Sequence, residues 1–158
     1  MKKLGLVVVT AVFVVSANLA SGAERYRGGQ TVTGTWDVTF TLPAGSSVCP
    51  AAGDDCPLPA LATATSDGTL IQTAAVLDIS GGHGVWIRTG LRTFLLRSKY
   101  FRYDPAGLLI GTSEARTVVT LEKDGISGSG TYEIQPFDLN GQSLGSFTGT
   151  ASFQRIVP

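Results

Sequence analysis

The sequence predicts an all-β protein: an eight-stranded antiparallel up-and-down meander closed into a barrel, with a flat two-sheet β-sandwich as the alternative. Three observations predict it. The 158 residues include 20 glycines, many Thr and Ser, and only 15% charged residues, a composition suited to a turn-rich β chain. Beyond residue 30, apolar and polar residues alternate with period two, and helical periodicity is hard to find. Turn signals punctuate the alternation at Asp67-Gly68, Thr89-Gly90, Asp104-Pro105-Ala106-Gly107, Asp124-Gly125 and Asn140-Gly141.

At the N-terminus, Lys2 and Lys3 precede an apolar run from Leu4 to Val15, and Ser21-Gly22-Ala23 supplies small residues, the pattern of a cleaved secretory signal over residues 1–23. The run is too short to cross roughly 30 Å of hydrocarbon comfortably. No membrane span is therefore expected after cleavage, and the chain is expected to be exported, to the periplasm or beyond. Residues 24–30 read as a flexible N-terminal arm, and 31–158 as a single barrel domain. Strands are expected near 31–42, 59–65, 69–75, 82–88, 91–103, 108–122, 126–137 and 143–156. Only the connections 43–58 and 76–81 are long. The first carries Cys49 and Cys56, and an oxidising compartment favours a local disulfide between them.

Several chemistries are excluded. The single His83 rules out a site built on two imidazoles, and one cysteine pair rules out a zinc ribbon or an iron–sulfur cluster. There is no Walker loop and no H-E-x-x-H, so neither metal nor cofactor is expected. Removing the signal takes away two lysines, leaving ten basic and twelve acidic residues and no positive field that would favour nucleic acid.

Gly34-Thr35-Trp36 on the first strand and Arg155 on the last resemble the calycin signature of lipocalins and their relatives. The resemblance implies that Trp36 packs under Arg155 at a closed barrel end, giving both a structural role. Residues 84–90 and the turn at 104–107 are similar to small exported bacterial proteins with a lipocalin-like or allene-oxide-cyclase-like barrel. The helix that lipocalins carry after the barrel is missing before Pro158, which favours a generic or cyclase-like calycin.

If Trp36 and Arg155 stack inside, turn lengths carry the parity back along the chain. A two-residue turn at Asn140-Gly141 sends Tyr132, Ile134 and Phe147 inward. The Asp124-Gly125 turn does the same for Leu109, Ser113, Ala115, Thr117, Val119 and Leu121. Across Pro105-Ala106, Phe94, Leu96, Ser98, Tyr100 and Arg102 face inside, with Arg97 opposite Glu114 outside. A two-residue turn at Thr89-Gly90 puts His83, Val85 and Ile87 inside and Trp86 outside, whereas a three-residue turn exchanges His83 for Trp86. With Trp86 outside, it joins Leu95 and Phe101 in an outward apolar patch that would favour a homodimer.

Three functional expectations follow. The first is an exported barrel that holds a small apolar or amphipathic ligand in its cup, lined by Phe40, Leu96, Ser98, Tyr100, Arg102, Tyr132 and Phe147. In it Arg102 presents a planar fork of donors to an anionic group. The second is a cofactor-independent isomerase or cyclase in the same cup, as the cyclase resemblance implies, with His83 as base and Tyr100 and Arg102 stabilising an oxyanion. The third is an envelope or partner-binding protein whose barrel is filled by side chains.

Overall fold

The computed structural model describes residues 30–44, 56–76 and 78–158. The expected signal, most of the arm, and Cys49 with its expected bridge to Cys56 lie outside the described residues. Eight strands follow one another: β1 (Gly34–Leu42), β2 (Cys56–Ala64), β3 (Thr69–Ala74), β4 (Gly82–Arg88), β5 (Thr93–Tyr103), β6 (Leu109–Leu121), β7 (Ser127–Phe137) and β8 (Phe147–Arg155). Each pairs antiparallel with the next, and β8 pairs with β1, which closes the barrel. Closure satisfies every edge and removes the sandwich alternative.

Trp36 faces Arg155 across the β1–β8 seam, and the guanidinium carbon sits 4.2 Å above the indole ring. Trp36 is 1% exposed and donates its Nε1–H to Val32 O at 2.7 Å. Arg155 Nε donates to Gly125 O at 3.1 Å, Nη2 to Thr31 O at 2.6 Å, and Nη1 to Thr33 O. Burial pulls the Arg155 pKa below its ordinary value. Gly34 is required beside this stack for two reasons: its φ of +131° disfavours L side chains, and a Cβ there would run into Arg155 Nη1.

The same end holds the tight turns 65–68, 89–92 and 122–126. Asp67 and Asp124 organise two of them. Asp67 accepts from the Thr65 hydroxyl and the Thr69 amide, and Asp124 from the amides of Ile126 and Ser127 and the Ser127 hydroxyl. These bonds hold both carboxyls below the usual range. Inside, Val32, Leu70, Phe94, Val119, Leu121 and Phe153 complete a buried cluster with Trp36, so this half of the barrel is filled.

The inward parity expected for β5 to β8 holds over most of their length, but two turns reach it differently. In the β5–β6 hairpin, Asp104 N bonds Leu108 O, leaving three residues between, and the ladder then shifts by one at Arg102/Tyr103. Arg97 therefore faces Arg116, not Glu114 as expected, and Lys99 takes Glu114 at 3.4 Å. Leu109, expected inside, is exposed. In the β7–β8 hairpin the turn runs from Asp138 to Gln142, and the irregular residues beyond Ser143 restore Ile134 opposite Phe147.

The β4–β5 turn overturns one expectation. Thr89 N bonds Thr93 O, so three residues form the turn, and Trp86 pairs with Leu96 while His83 pairs with Lys99. Trp86 points inward, packs 5.8 Å from Phe94 and donates Nε1–H to Thr65 O, while His83, Val85 and Ile87 face outward. Trp86 is thereby lost to the outward patch expected with Leu95 and Phe101.

Truncating the large buried indole, Trp36→Ala, should lower unfolding stability by about 3–5 kcal/mol, measured by urea denaturation. Gly34→Val should also destabilise, because it combines backbone strain with a clash against Arg155.

Candidate functional site

At the opposite end of the barrel, inward side chains become less buried. Leu58, Ala74, Arg102, Ile134 and Phe147 point inward yet are only half-buried. In a closed sheet, an inward side chain reaches solvent through an open mouth. This end carries the long connections after β1 and β3 and the turns after β5 and β7.

The central polar feature is a three-residue cluster built across β4. Gln72 on β3 and Ser98 and Tyr100 on β5 lie on strands that flank β4. The inward positions of β4 at this level are Gly82 and Gly84, and the Tyr100 ring occupies the space where a Gly82 Cβ would stand. With no side chain between them, the neighbours on either side meet. Ser98 Oγ and Tyr100 OH each lie 2.7 Å from Gln72 Oε1, and 3.1 Å from each other. Gln72, Ser98 and Tyr100 are 3%, 6% and 8% exposed, so the cluster is sealed into the wall. Burial pushes the Tyr100 hydroxyl above its ordinary value, partly offset by the Ser98 hydrogen bond.

Arg102 lies two residues beyond Tyr100 on the same inward row, opposite Gly111. Its Nη1 is buried and has no hydrogen-bond partner among the described residues. A buried guanidinium nitrogen without an acceptor is costly, and few such groups persist without a reason. Below it, the apolar lining includes Phe40, 5.1 Å edge-on to Tyr132, and Phe147, 6.5 Å edge-on to the same ring. Tyr132 OH donates to Thr41 O at 2.9 Å.

Phe40, Leu96, Ser98, Tyr100, Arg102, Tyr132 and Phe147 thus all line the inner wall, while His83 stands outside and separates from them. Among the described residues facing inward on the eight strands there is no Asp, Glu or His. Gln72 was missed by sequence reasoning. Its signal is a single polar residue between inward Leu70 and Ala74, but the reversed β4 parity hides the glycine gap through which it reaches β5.

Two clefts lie on the outer surface. One, of about 500 Å3, crosses strands β4 to β7, with the row Gly84, Ser98 and Ala115 as its floor. One wall carries Val85, Arg97, Arg116 and Glu133, and the other carries His83, Lys99, Glu114 and Gln135. The second, of about 410 Å3, lies over β6 to β8 and shares Arg116 and Glu133. No described helix is long and apolar enough to cross a membrane, and no group of three potential metal ligands occurs among the described residues.

No family model matches the chain, and no curated protein matches it. The eight-stranded antiparallel closed barrel is compatible with a calycin-like fold.

Because the folded Tyr100 pKa lies above the unfolded value, its contribution to stability is complete below pH about 10 and is lost as pH rises through the folded pKa. Tyr100→Phe should remove that part of the alkaline decline, and the absorbance titration should lose a tyrosinate contribution that forms at raised pH.

Proposed function

We propose that the protein is an exported, calycin-like binding module for a small amphipathic molecule with an acidic head group. The head group is received by Arg102, and the apolar part lies along the half-buried inward residues Leu58, Ile134 and Phe147. The observation that carries this reading is the buried, unpartnered Nη1 of Arg102 at the open end. A carboxylate would supply the missing acceptor through a charge-assisted bond. Support also comes from the half-buried inward residues Leu58, Ile134 and Phe147, which leave apolar surface facing the mouth. The leader-like residues 1–23 support export.

The binding reading is favoured over the isomerase because the expected base, His83, faces outward. Arg102, with its unpartnered Nη1, can hold and orient a ligand. Proton abstraction would need a base that the inner wall of the described strands does not contain.

The test compares octanoate with octanol by calorimetric titration, after organic extraction and mass spectrometry of the purified protein for any retained molecule. Octanoate is expected to bind, and Arg102→Leu to weaken it by about tenfold, the loss of one charge-assisted bond. Octanol should be affected little by that change. His83→Ala should leave octanoate binding unaltered. Absence of binding by either probe, with nothing extracted, would overturn the reading.

A further inference from the structure

The outer cleft over β4 to β7 contains an arrangement that the fold does not need. Arg97 on β5 and Arg116 on β6 stand directly opposite each other. Like charges in facing positions destabilise a sheet. Neither guanidinium lies within salt-bridge distance of a carboxylate among the described residues, although Glu133 faces Arg116 on β7. The nearby acid on the other wall, Glu114, is instead engaged by Lys99 at 3.4 Å. Two adjacent forks of donors are therefore left pointing into one concave site.

We propose that this cleft binds a small organic molecule carrying a phosphate or sulfate ester, with the oxyanion bridging Arg97 and Arg116. Guanidinium forks match the geometry of such oxyanions, and one bound between them turns their mutual repulsion into shared attraction. The volume of about 500 Å3 exceeds what a bare oxyanion fills and lies in the range of small-molecule sites. Val85, 56% exposed and opposite Arg97, offers an apolar flank for the organic portion. The floor of the cleft is the backbone of Gly84, Ser98 and Ala115, the row whose side-chain positions point into the barrel, between the two outward rows that form its walls. This site is separate from the barrel mouth and does not depend on the reading given for Arg102.

Inorganic phosphate is the probe. Thermal unfolding in phosphate is compared with unfolding in chloride at equal ionic strength, and phosphate affinity is measured by calorimetric titration. A higher Tm in phosphate and one bound phosphate per chain are expected. Arg97→Gln and Arg116→Gln should each weaken binding by about tenfold. Arg97→Lys, which keeps the charge but removes the fork, should weaken it less while leaving the fold intact. Sulfate that binds in place of phosphate supports the same site and identifies the other ester. Equal Tm values in phosphate and chloride would overturn the proposal. So would a phosphate effect that survives both Gln substitutions.

Discussion

The contact on which the rest of the structure depends is the seam between the first strand and the last, with Trp36 under Arg155. A meander of eight strands has two free edges until β1 meets β8. Joining them fixes which faces of both strands are inside, and every hairpin then transmits that choice. The seam also secures the segment that leads into β1. Arg155 donates to the carbonyls of Thr31 and Thr33, which holds Val32 at 2% exposure beneath the barrel. One guanidinium thus stacks on a ring, closes a sheet and anchors a plug, three roles that a lysine's point charge could not combine.

A second guanidinium repeats the device next door. Arg88 ends β4, lies 4.8 Å over the Phe94 ring, and donates to Leu91 O at 2.5 Å and to Gln30 O. The segment Gln30–Thr33 is therefore held by arginines from two different strands. Each arginine buries its stem among aromatics and spends its donors on backbone carbonyls that would otherwise lack partners. Among the described residues, this explains why one end is filled and dry whereas the other keeps inward side chains in contact with solvent.

The strand positions were legible because Gly and Asp turn signals interrupt a clean period-two pattern. Trp36 and Arg155 were legible because they occupy matching positions at the two ends. The inward faces of β5 to β8 were also readable, even where the turns were not. The β5–β6 turn and the ladder shift at Arg102/Tyr103 together displace the register by an even number of residues, which preserves parity while replacing the Arg97–Glu114 pair by Lys99–Glu114. No such cancellation occurs at the β4–β5 turn. A two-residue turn at Thr89-Gly90 would pair Arg88 with Leu91, whereas Arg88 pairs with Phe94, an odd shift that reverses all of β4, sending Trp86 in and His83 out. The type of turn adopted by Thr89-Gly90-Leu91-Arg92 is settled by what its strands bury. Inserting Trp86 beside Phe94 buries more apolar surface than inserting His83 would.

That reversal also decides what kind of interior the barrel has. With His83 inside, the inner wall would carry an imidazole beside Tyr100. With Gly82 and Gly84 inside instead, the same level becomes a gap in the wall, and Gln72, Ser98 and Tyr100 close it by hydrogen bonding to one another. Their polarity is consumed internally. Arg102, two residues further toward the mouth, has no such neighbour for its Nη1. Toward the mouth, the polar groups of the inner wall thus include a sealed cluster that shapes the barrel and, beyond it, Arg102, whose Nη1 has no hydrogen-bond partner among the described residues. Recognition through this mouth would therefore turn on a single charge-assisted contact, with the surrounding apolar surface deciding which acidic molecules can be held.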